Sequence, residues 1–307
     1  MNMKNKQPIF IQAILRIIFV VTFLLLGYFL IINLSTKQNL EKEFNKEFAF
    51  QHIKDQLEFG PRYPGSEGHA QVQEYIVENM EKYGWDVNIQ LGEVNGHLIK
   101  NIICNKGSGE SKILIGAHYD TREFASMEDD PESLKQPVPG ANDGASGVAV
   151  MLELARIIPD DFENEVVFVY FDQEDNGGIN GANWAMGSWY YVENLEKDLD
   201  AVVIIDMIGD RDLQIYREKN SSIQLINEIW ETAQELGFDE FINQERFSML
   251  DDHSAFINHG MNAILIIDFL YPAWHLTEDT LDKVSGDSLK IVGDTILAWM
   301  KKDISNE

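Results

Sequence analysis

Five residues of the kinds that bind metal ions stand at or just past the ends of apolar segments of this chain. Two are histidines and three are aspartates: His118, Asp143, Asp175, Asp206 and His275. In open α/β sheets, ligands gather outside the carboxyl ends of the strands, so side chains in these positions can converge on one site. Imidazole and carboxylate groups in this combination suit one or two zinc ions. Glu174 precedes Asp175 and would remain free to transfer protons.

Taken singly, several of these residues also have an ordinary structural explanation. His118, in LIGAHYD, could be a surface histidine at a strand end, and Asp143, in PGANDGASG, could cap the helix that follows it. Asp206 ends the segment AVVII, where a carboxylate needs a partner such as a metal ion. His275 follows Trp274, which indicates an apolar wall over the site. Together the five residues favour a metal centre, since all the ordinary explanations would have to hold at once.

Apolar segments of two kinds alternate along the soluble part of the chain. Helices are predicted at 44–59, 68–83, 145–158, 224–236 and 288–301. Strands are predicted at 85–89, 98–103, 113–117, 166–171, 201–205, 213–216 and 263–267, the segment 213–216 near a sheet edge. This order predicts a single doubly wound α/β domain, whose mainly parallel mixed sheet is flanked by helices. Most strand segments lack polar alternation, as strands buried on both faces do.

The N-terminal segment differs from the rest. Residues 17–32 carry no charged side chain, and Arg16 is the only charged residue within 9–34. This apolar segment is long enough to cross a bilayer as one helix. No small-x-small cleavage pattern follows, which favours an uncleaved signal anchor over a cleaved signal peptide. We therefore predict a short cytoplasmic tail and transmembrane anchor at 1–36 and a catalytic domain at 37–307. The short tail favours an extracytoplasmic location for that domain.

Composition excludes several classes of protein. The formal net charge is −27, which argues against a nucleic-acid partner because such proteins need a basic face. The acidity could attract cationic substrates, but a solvated acidic surface explains it more simply. Cys104 is the only cysteine, so a disulfide within the chain and a zinc-thiolate cluster are both excluded. Its apolar neighbours predict a small core residue.

With these residues the chain resembles the zinc aminopeptidase superfamily, of the metallopeptidase family 28 type, and within it the zinc-dependent glutaminyl-peptide cyclotransferases. The resemblance covers about residues 45–302 and is carried by GAHYDTR, VPGANDGASGVAVMLELAR, FDQED, DMIGD, DDHSAF and WHLTEDTLDKVS. It implies that the superfamily's ligands correspond to His118, Asp143, Asp175, Asp206 and His275, with Glu174 as the acid/base residue. In the cyclotransferases, the positions of Asp143, Asp175 and His275 usually hold one zinc ion. Asp206 would then belong to a proton relay around Glu174.

Two further positions match markers of the cyclotransferases, and two depart from them. Asp251, in a D-D-H motif, is implied to be catalytic, and Trp274 is implied to contact the substrate. Asp175 stands where the animal enzymes have glutamate, although a shorter carboxylate can still bind zinc. Leu265 replaces an active-site histidine, and the family's disulfide is missing.

The resemblance implies one of two reactions on peptides or proteins with a free N-terminus. The first is cyclisation of N-terminal glutamine to pyroglutamate with release of ammonia. The alternative is a co-catalytic zinc aminopeptidase, in which His118, Asp143 and Asp206 hold one zinc ion and Asp143, Asp175 and His275 the other. A non-catalytic ectodomain is disfavoured because all five ligand positions and the base are present.

Overall fold

The computed structural model describes Ile14 and residues 43–109, 111–195 and 199–302. Among these residues, none of the helices is long and apolar enough to cross a membrane. The predicted anchor lies outside the described residues except for Ile14, so it stays a prediction. The chain divides into two units, Met1–Glu43 and Phe44–Glu307, and the elements below belong to the second.

Helices and strands alternate along this second unit. The helices are α1 (Lys46–Glu58), α2 (Glu67–Lys82), α3 (Ala145–Ile157), α4 (Met186–Glu193), α5 (Ile223–Glu235), α6 (His253–Asn258) and α7 (Gly286–Met300). The strands are β1 (Asp86–Val94), β2 (His97–Lys106), β3 (Lys112–His118), β4 (Glu165–Phe171), β5 (Ala201–Asp206), β6 (Ile215–Arg217), β7 (Phe241–Glu245) and β8 (Ala263–Ile267). Three of these elements, α4, α6 and β7, were not predicted from the sequence.

The central sheet has the strand order β1-β2-β4-β3-β5-β8. Strands β4, β3, β5 and β8 are parallel to one another, whereas β2 pairs antiparallel with both β1 and β4. The predicted mixed sheet flanked by helices is therefore confirmed. One strand assignment was wrong, because β6 does not lie at an edge of this sheet but pairs with β7 in a separate two-stranded sheet.

Both faces of the sheet are covered, which explains the continuous apolar strand segments. Successive residues of a strand point to opposite faces, and Phe168 of β4 accordingly belongs to an apolar layer that also contains residues of α1, α2, α3, α5 and α7. Its neighbour Val169 packs on the other face with α4 and α6. Cys104 is buried in the first of these two layers, as predicted.

The parallel strands all end at one edge of the sheet, and this edge carries the predicted site. His118 and Asp206 are the last residues of β3 and β5. Glu174 and Asp175 come shortly after β4 ends at Phe171. The topology alone therefore gathers residues from distant parts of the sequence at the place where ligands of such sheets bind.

Candidate metal centre and active site

The five predicted ligands lie together and form two groups that share one carboxylate. The inner group is His118, Asp143 and Asp206, and the outer group is Asp143, Asp175 and His275. Within each group, one potential ligand atom from every residue lies within 4.8 Å of the others. All five residues are buried. Asp143 is thus placed to contact a metal ion in either group.

The members of the inner group contact one another directly through the ring of His118. Nε2 of His118 lies 3.1 Å from Oδ1 of Asp206 and 3.2 Å from Oδ1 of Asp143. Nδ1 of the same ring lies 3.1 Å from the backbone carbonyl oxygen of Asp120, a hydrogen bond that orients the imidazole. Burial lowers the pKa of His118, but its carboxylate partners raise that pKa well above the ordinary value. The inner histidine is therefore hydrogen-bonded through both ring nitrogens.

The outer group leaves one carboxylate oxygen without a partner. Nε2 of His275 lies 2.8 Å from Oδ1 of Asp175 and 3.6 Å from Oδ2 of Asp143. Oδ2 of Asp175 is buried and has no hydrogen-bond partner among the described residues. An unpaired buried carboxylate oxygen is costly, and a bound cation would remove that cost. Two carboxylates and one imidazole form a three-ligand set of the kind that holds catalytic zinc, so the residues present fit zinc.

Asp143 does not have the ordinary role that the sequence also allowed. Helix α3 begins after Gly144, and no side chain caps it. Glycine is required at position 144 because a Cβ atom there would lie 2.6 Å from Cε1 of His118 and clash with that ring. The turn that carries Asp143 is held by Asp279, whose carboxylate accepts hydrogen bonds from Asn142 N at 2.9 Å and Asp143 N at 3.1 Å. The Asp143 carboxylate is therefore left free to face the ligand groups.

Asp120 holds the acidic loop after β4 in place. Its carboxylate accepts hydrogen bonds from the backbone N–H of Glu174 at 3.0 Å and of Asp175 at 3.2 Å. It also accepts a bond from Nδ2 of Asn176 at 3.1 Å. The H-x-D spacing of His118 and Asp120 predicted Asp120 as a partner of the second ring nitrogen of His118. Sequence analysis missed the contacts of Asp120 with this loop and the role of Asp279. The available signals were only that each acid lies within a few residues of a predicted ligand.

Aromatic rings and strained backbone fix the position of His275. Its ring is parallel to that of Trp184, with centroids 6.0 Å apart, and its centroid lies 4.1 Å from that of Trp274. His275 itself has a φ of +56°, and Gln173 and Met207, next to Glu174 and Asp206, have φ of +58° and +46°. Non-glycine residues in this region cost about 1–3 kcal/mol each, and such strain is concentrated at functional sites.

A cavity of about 200 Å³ opens beside the outer group. Of the predicted residues, Glu174, Asp251 and Trp274 line it, together with Asp206 and the three residues of the outer group. Its apolar wall consists of residues that were not predicted: Trp184, Met207, Met249, Leu250, Ile267 and Phe269. His118 does not line the cavity and is only 2% exposed.

Burial raises the pKa of three carboxyl groups that line the cavity. Burial raises the pKa of Glu174 well above its ordinary value. The charge of Asp251 raises this pKa further, whereas that of His118 lowers it. Burial likewise raises the pKa of both Asp206 and Asp251. Buried acids with raised pKa values suit general acid–base catalysis. The site thus combines a place for a metal ion with groups able to carry protons.

Comparison with known proteins identifies the family. The model of peptidase family M28 matches residues 101–300, which include every predicted ligand. The chain belongs to peptidase family M28. It is therefore an enzyme of the family that contains zinc metallopeptidases and glutaminyl cyclases.

Proteins similar to this chain include an aminopeptidase, a Zn-dependent exopeptidase and a glutaminyl cyclase. Aminopeptidase YwaD of Bacillus subtilis is 28% identical over 64% of this chain, and the match covers 42% of the length of that protein. The crystal structure of Bacteroides thetaiotaomicron glutaminyl cyclase superposes with a TM-score of 0.80 at 28% identity, covering 85% of this chain and 99% of the other. A Zn-dependent exopeptidase from Parabacteroides distasonis gives the same TM-score and coverage at 25% identity. Both reactions inferred from the sequence thus occur among proteins similar to this one.

Proposed function

We propose that the protein is a zinc-dependent glutaminyl-peptide cyclotransferase, which converts N-terminal glutamine of peptides or proteins to pyroglutamate and releases ammonia. One observation carries the proposal, namely the difference between the two ligand groups. The outer group lines the cavity and includes the unpartnered Oδ2 of Asp175. His118 of the inner group lies outside the cavity lining, hydrogen-bonded to Asp206. This difference supports one metal ion beside the substrate, with Asp206 available for proton transfer.

Asp143, Asp175 and His275 would hold the zinc ion. When bound there, zinc supplies Lewis-acid polarisation of the glutamine side-chain amide carbonyl. The remaining chemistry falls to the residues of the chain. Because the nucleophile and the amide belong to one substrate residue, holding them in a reactive geometry contributes much of the rate.

Glu174 carries the proton in this reaction. The α-amine nitrogen forms a bond to the side-chain amide carbon, and the bond from that carbon to the amide nitrogen breaks. Glu174 takes the proton that the α-amine loses and transfers it to the departing nitrogen, which leaves as ammonia. Asp251 and Asp206 line the same cavity and share the negative charge and protons of this cluster. Trp274 and Phe269 provide an apolar wall for the methylene groups of glutamine.

The second candidate function is a co-catalytic zinc aminopeptidase. It is favoured by the close approach of the inner ligand atoms, all within 4.8 Å of one another. In this reaction His118 and Asp206 would hold a second zinc ion together with Asp143. Glu174 would then take a proton from water instead of from the substrate amine.

The test uses purified full-length protein loaded with zinc, with metal content measured first. A peptide that begins with glutamine and one that begins with leucine are each incubated with the protein and analysed by mass spectrometry. The proposal predicts loss of ammonia from the first peptide and no change in the second. Release of free leucine or free glutamine would instead establish the aminopeptidase.

We also propose that the enzyme is anchored in a membrane by the segment 9–34, with the catalytic domain outside the cytoplasm. The proposal rests on the apolar sequence of that segment, with the orientation as predicted from the sequence. Its substrates would then be exported polypeptides. Protease added to intact cells should cleave the catalytic domain, and full protection of that domain would contradict this orientation.

A further inference from the structure

A second depression adjoins the active-site cavity. It has a volume of about 410 Å³. We call it the side groove, and its walls are mainly apolar: Val94, Trp184, Met186, Trp189, Tyr190 and Leu250. Two of these residues, Trp184 and Leu250, also line the active-site cavity. The side groove is therefore a lateral extension of the space in which the reaction takes place.

The walls of the side groove are held in place by packing on both sides. Tyr190 lies against Gly92 of β1, where a Cβ atom would clash with the ring, and its hydroxyl donates to the carbonyl oxygen of Leu91 at 3.1 Å. Trp184 lies in the same way against Gly177, and the guanidinium Cζ of Arg122 is 4.8 Å from its ring centroid. The side groove is thus a formed surface that can bind a ligand without first being ordered.

The position of the side groove fits one part of the proposed substrate. The N-terminal residue must lie in the cavity, within reach of Glu174 and Asp251, while the rest of the peptide leaves through its mouth. Leu250 is adjacent to Asp251 in sequence and is 58% exposed. Consecutive Cα atoms are about 3.8 Å apart, so the second residue of the peptide lies directly beside the first. The wall shared by the cavity and the side groove is the surface that its side chain meets.

We propose that the side groove binds the side chain of the second substrate residue and selects large apolar side chains there. This inference rests on the proposed function, since it assumes that glutamine occupies the cavity. Among the described residues that line the side groove, Glu193 is the only one with a charged side chain. An acidic second residue is therefore repelled. An aromatic or long aliphatic second residue instead buries apolar surface against Trp189 and Met186, which favours binding.

The main experiment compares kcat/KM for three peptides that differ only in the second residue: Gln-Phe, Gln-Gly and Gln-Glu, each extended by the same amidated tail. Partial burial of a phenylalanine side chain predicts a preference of about tenfold for the Phe peptide over the Gly peptide. The Glu peptide should be the slowest of the three. Equal values for all three peptides, within twofold, would overturn the inference.

A pair of matched variants links the preference to the side groove. Leu250→Ala removes apolar surface from its wall and should reduce the Phe-to-Gly ratio to about threefold. Leu236→Ala removes the same atoms from a side chain at the end of α5 that is 43% exposed and lies outside both depressions. This control should keep the full ratio. A ratio that is unchanged in Leu250→Ala, or reduced equally in both variants, would refute a role for the side groove.

Direct binding separates failure of this inference from failure of the proposed function. The Phe and Gly peptides are titrated calorimetrically into zinc-loaded Glu174→Gln protein, with and without Leu250→Ala. If wild-type protein cyclises neither peptide, but the Phe peptide binds more tightly and Leu250→Ala removes that difference, the function is wrong and the side groove stands. If both peptides are cyclised but bind equally, the side groove is refuted and the function stands.

Discussion

Replacement of Glu174 by glutamine tests the proposed mechanism directly. The substitution keeps the size and shape of the side chain but removes its ability to accept and return a proton. The backbone N–H of residue 174 still donates to Asp120, so the loop after β4 should keep its conformation. The substitution also removes a carboxylate from the neighbourhood of Asp251 and Asp175, whose charges oppose its ionisation. Thermal stability should therefore be unchanged or higher.

The expected loss of activity follows from the role of proton transfer. General acid–base catalysis by one positioned side chain contributes about 10²–10⁴ in rate. At about 1.36 kcal/mol for each factor of ten, this equals about 3–5 kcal/mol of transition-state stabilisation. The kcat of Glu174→Gln should fall by that factor, whereas KM should change little because no volume is lost. Zinc content should be unchanged, since Glu174 belongs to neither ligand group.

The assay measures ammonia release from a peptide with N-terminal glutamine, together with metal content and melting temperature. Glu245→Gln is a matched control, because Glu245 is an exposed glutamate at the end of β7 and outside the cavity. It should retain full activity. A Glu174→Gln protein with full zinc content and a kcat within tenfold of wild type would refute the role assigned to Glu174. Loss of zinc from that variant would show that Glu174 holds the metal.

Three other predictions follow from the same structure. Asp175→Asn should weaken zinc binding at least tenfold, because it removes the charge of the carboxylate that has the unpartnered oxygen. His118→Ala should leave the affinity for one zinc ion nearly unchanged. Competition with a chromophoric chelator measures the zinc affinity of both variants. Asp120→Ala leaves three donors of the loop after β4 without an acceptor and should lower the free energy of unfolding by about 3 kcal/mol in urea titrations, with a fall in kcat. Burial lowers the pKa of His52 from 6.5 to about 4. As the pH falls from 7 to 5, the unfolded chain therefore takes up a proton on His52, whereas the folded chain does not. The free energy of unfolding of the wild type should consequently fall by about 2 kcal/mol more over this interval than that of His52→Gln.

The parallel part of the fold could be predicted because its signals are local. Strands β3, β4 and β5 are continuous apolar segments, and the rule that ligands gather at carboxyl strand ends directed attention to His118 and Asp206. The elements that were missed lack such signals. Helix α6 has only 6 residues, too few for a helical period to be visible in the sequence. Strand β7 is largely exposed and depends on its pairing with β6.

The finer organisation of the site depends on contacts between residues far apart in sequence. Asp279 lies 136 residues from Asp143 in sequence, and its carboxylate accepts a hydrogen bond from the backbone N–H of Asp143. Nothing near Asp279 in the sequence indicates that contact. The absence of His118 from the cavity lining is equally invisible in the sequence, because it depends on the packing of the folded chain. Residue types and strand ends therefore predicted which residues meet, but not which of them line the cavity.

The outer ligand group draws its members from both halves of the chain, and this couples metal capture to the order in which the chain folds. Asp143 and Asp175 precede β5 and β8 in sequence, whereas His275 follows β8. A growing or partly folded chain thus carries the two carboxylates of the outer group but lacks the imidazole of that group until β8 has joined the sheet. Metal binding free energy then becomes folding free energy and holds the last strand against β5. Zinc retention during dilution into denaturant would accordingly report closure of the sheet, and a chain that ends before Trp274 would lack the imidazole of the outer group and should bind zinc more weakly.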